Sequence, residues 1–186
     1  WEARLLSGFV EASAGILDRP WDPAAAERAF DAVIADGVPL RGAYANRGAF
    51  RVWNGNHEGA AADFAAALRL CPDDSRTLQN RADLYLRTGR AALALADAEA
   101  AIRVDGGNAR VLNILGRSRL ATGDVPGARE ALDAACAADP TFPVARVNRG
   151  DLRKAAGDVA GALADYEAAL ASRPAYAEAW SGRGLI

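Results

Sequence analysis

The sequence predicts an all-α fold built from stacked pairs of antiparallel helices, and three observations carry that expectation. Alanine supplies about a quarter of the 186 residues, which favours helix because its side chain loses no rotamer freedom there. Val, Ile and Thr are sparse, so a large sheet is not expected. The chain also repeats itself every 34 residues over the segments 41–74, 75–108, 109–142 and 143–176.

The repeat shows in columns of small or turn-forming residues. Place eight carries Gly48, Ala82, Gly116 and Gly150, and place fifteen carries Gly55, Gly89, Gly123 and Gly157. Place twenty carries Ala60, Ala94, Ala128 and Ala162, and place twenty-seven carries Ala67, Ala101, Ala135 and Ala169. Place thirty-two carries Pro72, Gly106, Pro140 and Pro174.

Residues 1–40 fit the period less closely. Residues 1 to about 17 and 23 to about 36 read as two amphipathic helices joined by Asp18-Arg19-Pro20-Trp21-Asp22. Ala26, Phe30 and Val33 fall where a preceding unit would place its core, so 1–40 is expected to be a degenerate first helix pair or an N-terminal cap. Each of the next four segments reads as two helices. The first stops at the place-fifteen Gly, which can adopt the left-handed conformation that ends a helix. The second runs over about places eighteen to thirty, for example 58–70, and Pro at place thirty-two cannot continue it. Small residues at places eight, twenty and twenty-seven let the helices approach. Tyr44, Phe64, Leu78, Tyr85, Leu112, Leu132 and Tyr166 fill the gaps. A fifth unit opens at 177–186 with Trp180 at its fourth place. The missing Met and the apolar Leu185 and Ile186 lead us to expect an excised piece whose array continues, because terminal repeats usually carry a polar outer face.

Small residue at place eight, Gly at fifteen, Ala at twenty, aromatic at twenty-four, Ala at twenty-seven and Pro at thirty-two resemble the tetratricopeptide repeat. The run Gly55-Asn56-His57-Glu58-Gly59-Ala60 is similar to that family's inter-helix turn. The resemblance covers 41–176, with Gly106 in place of Pro, Ala98 in place of the aromatic, and Arg in place of the usual Leu at place seven. It implies a right-handed superhelical array, a solenoid of about eleven helices, with a concave face lined by the first helix of each unit.

Place seven carries Arg47, Arg81, Leu115 and Arg149, while place twenty-three carries Asp63, Asp97, Ala131 and Asp165. Arg and Asp appear together in three units and become apolar together in the third. An ion pair across the two helices of one unit accounts for this, a structural role suited to the bidentate fork of Arg.

Chemistry of other kinds finds little support. The net charge of −2 and pI near 5.5 do not suit a nucleic-acid platform. No apolar run approaches the ~18 residues a membrane span needs. The single histidine, His57, and the distant Cys71 and Cys136 cannot assemble a zinc site. Both cysteines are expected as free thiols, which leans toward a reducing, cytoplasmic compartment. No phosphate-binding Gly-rich loop is present. No catalytic residue, metal or cofactor is expected.

The resemblance places the binding residues on the concave face, at places two, five, six, nine, twelve and thirteen. These are Asn46, Trp53, Arg76, Asn80, Asp83, Arg87, Arg110, Asn113, Arg117, Asn148 and Asp151, with Lys154 near a helix end. An Asn amide both donates and accepts, so the place-six residues could hold the backbone of an extended peptide with little sequence preference. Arg76, Arg110 and Arg117 should make the centre basic. The expected partner is a protein segment, extended or helical. Two alternatives are a non-catalytic arm of a larger enzyme and a scaffold that self-associates through open terminal units.

Overall fold

A computed structural model describes residues 22–35 and 40–186. The helix expected over residues 1 to about 17 lies outside the described residues, as does most of the linker that follows it. The described residues form ten α-helices and no strand: α1 Pro23–Ala35, α2 Arg41–Trp53, α3 His57–Leu70, α4 Ser75–Arg87, α5 Ala91–Asp105, α6 Ala109–Ala121, α7 Val125–Ala138, α8 Pro143–Ala155, α9 Val159–Ser172 and α10 Ala177–Gly184.

The turn inside each pair is the same four times. Gly55, Gly89, Gly123 and Gly157 all have φ between 72° and 89°, a region in which side chains are rarely placed. Each glycine N–H bonds back three residues, and the next N–H bonds back five, for example Asn56 N–H to Arg51 O at 2.8 Å and Asp158 N–H to Arg153 O at 2.9 Å. That double closure satisfies the last carbonyls of the first helix.

The following helix starts two residues after the glycine in all four turns, and in three of them a side chain caps it. Asn56, Asp124 and Asp158 accept the N–H of Gly59, Gly127 and Gly161 at 3.0, 3.0 and 2.9 Å. A Cβ on any of these glycines would collide with the capping side chain. In the second turn Arg90 and Leu93 replace the pair, and α5 has no side-chain cap. Cap and glycine therefore vary together.

Two compact units divide the chain, one ending at Leu84 and one beginning at Tyr85. In the first, Arg47 reaches Asp63 and Arg51 reaches Gly59 O. Residues further along α2 thus meet residues earlier in α3, which makes the pair antiparallel. Phe64 is fully buried and packs with Ala60 and Leu84. Its ring lies so close to α2 that a Cβ on Gly48 would stand 2.8 Å from it, which is why that place is kept small. Ala26, Phe30 and Val33 of α1 are buried as well.

The second unit repeats the arrangement. Arg149 meets Asp165 and Arg153 meets Gly161 O, so α8 and α9 run antiparallel. Tyr166 packs with Val147, Ala162, Ala169 and Ala179, while Leu132 packs with Ala128 and Leu152. Gly116 and Gly150 face Leu132 and Tyr166 as Gly48 faces Phe64. Cys136 is buried beside Ala135 and Ala145, with Leu112 and Phe142 packed against that cluster. Cys71 is half-buried, and both thiols are free.

Candidate functional site

Two charge networks fix the inner halves of the helix pairs. In the first unit Arg47 is bidentate on Asp63, at 2.9 Å from Nε and 2.6 Å from Nη2, and gives Nη1 to Asp31 of α1 at 2.5 Å. Arg51 adds a bond to Asp63 at 2.9 Å and one to Glu27 at 2.7 Å. In the second unit Arg149 grips Asp165 in the same way and reaches Asp133 of α7 at 3.0 Å, while Arg153 bonds Asp165 at 2.9 Å. Asp63 and Asp165 are 3% and 1% exposed, so each carboxylate depends on these donors for solvation. The paired carboxylates raise the Arg47 and Arg149 pKa values further above the ordinary guanidinium range. Where Leu115 and Ala131 stand instead, both are buried, and Arg119 turns to Gly127 O at 3.1 Å. Arg81 is half-buried in the first unit and Asp97 is 7% exposed in the second.

Comparing one column at a time misses half of these partners. Arg51 and Arg153 share place eleven with Tyr85 and Arg119, while place twenty-three is Asp97 beside Tyr85 and Ala131 beside Arg119, so the two columns do not change together and covariation does not reveal this partner. Asp31 and Asp133 lie one unit upstream of their arginines at place twenty-five. That link joins two different columns of two different units.

The expected binding residues separate by unit. In the first, Asn46, Asn80 and Asp83 are half-buried, and Arg76 is exposed. Trp53 is 69% exposed and tilts against Phe50 at 6.4 Å between ring centres. In the second, Arg87, Arg110 and Asp151 are exposed, while Arg117 and Asn148 are half-buried. Asn113 is only 3% exposed, so it does not project from the face as its place implies. It accepts a hydrogen bond from Asn148 Nδ2 at 2.6 Å.

A depression of about 320 Å³ opens between α8 and α10. Asn148, Asp151 and Lys154 of α8 line it, one turn apart from each other, with Tyr176 and Glu178 opposite. Behind Asp151 lies Tyr166, fully buried, whose hydroxyl donates to Asp151 Oδ1 at 2.7 Å. Burial raises the Tyr166 phenol well above its ordinary pKa, and the Asp151 carboxylate adds to the shift. Gly182 makes room for this ring, since a Cβ there would stand 2.5 Å from it. Tyr176 is also raised, by burial first and then by Glu178. Arg173 sits over the Tyr176 ring at 5.5 Å. A second depression, about 410 Å³, is lined by Asn108, Arg110, Asp139 and Phe142. The Thr141 hydroxyl and N–H hold the Asp139 carboxyl below its usual range.

His57 begins α3, and its Nδ1 has no hydrogen-bond partner among the described residues. Among those residues no group of three or more His, Cys, Asp or Glu is placed to hold a metal ion. No described helix is long and apolar enough to cross a membrane.

Comparison with known families matches residues 80–143 and 147–186 to the tetratricopeptide repeat. No curated protein sequence matches the chain. Among solved structures, a thermophilic TPR protein of Thermus thermophilus superposes with a TM-score of 0.79 at 18% identity, covering 100% of this chain and 99% of that one. A MamA fragment from Desulfovibrio magneticus RS-1 gives 0.75 at 17% identity over 93% and 97%. YrrB, described as a TPR protein with an unusual peptide-binding site, gives 0.66 at 21% identity over 86% and 82%.

Proposed function

The chain belongs to the tetratricopeptide repeat family, and on that premise we propose that it is a protein-interaction module that holds a segment of a partner polypeptide against its first helices. The observation that carries the reading is the polar lining of the depression between α8 and α10. Asn148, Asp151 and Lys154 turn away from the core that Val147 and Leu152 enter from the same helix. Three polar side chains on one helix face, opposite Tyr176 and Glu178, suit a polypeptide that offers both apolar and hydrogen-bonding groups. Repeats of this family are generally non-catalytic interaction modules, and the peptide-binding site ascribed to YrrB supports the same reading at the level of fold.

The test is affinity purification with the chain and with an Asn148→Ala/Asp151→Ala variant of unchanged helicity. The wild type should retain a defined polypeptide partner that the variant loses. Equal recovery by both would remove this face from consideration.

A further inference from the structure

We propose that the inner face of α8 is a fixed pair of hydrogen-bond acceptors that selects an arginine or lysine side chain of the bound polypeptide. The inference rests on the reading above and names the chemistry of its occupant. Sequence alone leaves each groove asparagine able to donate or accept. In the structure the Asn148 amide nitrogen is already engaged by Asn113, which is 3% exposed and so cannot turn outward. That bond uses one of the two amide hydrogens and fixes the orientation of the group, so its Oδ1 is held as an acceptor beside the remaining N–H. Three residues along, Asp151 Oδ1 is held by the buried Tyr166 hydroxyl. Asp151 is itself exposed and lines the depression, so its carboxylate is within reach of an occupant.

Both acceptors are thus oriented by a side chain buried beneath them, a form of preorganisation that lowers the entropic cost of binding. The arrangement is particular to this helix pair. Place twenty-four is Phe64, Ala98 and Leu132 elsewhere, none of which has a hydroxyl, and place nine is Ala49, Asp83 and Arg117. Glu178 brings a second carboxylate to the same depression, and Tyr176 supplies an aromatic wall for an aliphatic stem. The cations nearby are Lys154, which lines the depression, and Arg173, already stacked on Tyr176, with Arg117 also acting on that ring. Two oriented acceptors, one of them charged, call for a donor-rich cation, and Lys154 opposes it by repulsion. Those two groups therefore give tests of opposite sign.

The experiment pans a random peptide library on the wild-type chain and measures the selected peptides by fluorescence anisotropy. The selected peptides should be enriched in Arg or Lys over Asp and Glu. Asp151→Asn should weaken them about tenfold, the scale of one charge-assisted hydrogen bond. Tyr166→Phe, which keeps the charge and frees the rotamer, should weaken them less, and Lys154→Ala should strengthen them. Acidic selected peptides that Lys154→Ala weakens, or basic ones that bind Asp151→Asn unchanged, would overturn this inference and leave peptide binding standing. If no peptide is selected, both readings fall together.

Discussion

At the scale of single residues, the most consequential groups are Asp63 and Asp165. Each is a carboxylate sealed into a helix pair and bonded by arginines. A buried pair of this kind adds little net stability, but stranding one side is costly. Asp165→Ala leaves Arg149, Arg153 and the more distant Arg146 (3.7 Å) without their shared acceptor. It should lower the unfolding free energy by about 3–5 kcal/mol in urea titration. Adding Arg149→Leu reproduces the natural Leu115/Ala131 combination and should restore part of the loss. A double variant no more stable than Asp165→Ala would show that Arg149 is not the stranded partner.

Tyr166 gives a second prediction, this one in pH. Its folded pKa is raised, chiefly by burial. Below the ordinary phenol value of about 10, folded and unfolded chains both keep the proton and the contribution is fully present. As pH rises past that value the unfolded chain ionises first, so stability falls. Tyr166→Phe should be less stable than wild type near neutrality, because Asp151 loses its donor, yet its urea midpoint should change less between pH 9 and 11. Parallel declines would assign the alkaline loss to other groups.

At the scale of elements, the helix ends decide the path of the chain. The second helices α3, α7 and α9 are each started by an Asx side chain and a glycine three residues on. Asp158→Ala should cost about 1 kcal/mol, the usual worth of such a cap. Gly157→Ala, at φ 83°, should cost about 1–2 kcal/mol through left-handed strain. Thermal melts of both variants measure these losses. A Gly157→Ala variant that melts with the wild type would mean that the turn can be rebuilt. The glycine at place fifteen and the place-thirty-two breakers, Pro in three units and Gly106 in one, were legible in the sequence because each column can be read by itself. The cap recurs in its own column at place sixteen, as Asn56, Asp124 and Asp158, but shows its role only when the bond to the following glycine is seen.

At the scale of the molecule, stability in a stacked array is a sum of local terms. Hydrogen exchange should therefore report graded opening and not a single global value. Only Ala179 and Gly182 are buried in α10, against six residues in α7, and Trp180 is 47% exposed. Amides of α10 should exchange well before those of α7 and α9. Uniform protection across the second unit would contradict a sum of local terms.

The repeat, the helix pairs, the turn glycines and the small residues between helices follow from the sequence alone. They recur in fixed columns, and a column needs only one residue type to be read. The place-seven arginine and place-twenty-three aspartate were legible because they change together. The surface was not. Asn113 reads as a groove residue until the fold buries it under Asn148, and Asp151 reads as a groove acid with no fixed orientation until its bond from Tyr166 is seen. Both bonds join different columns, and the Asn148 bond also crosses from one helix pair to the next. Which side chains meet then depends on how far each helix is rotated about its axis and shifted along it, and those two quantities are set by packing.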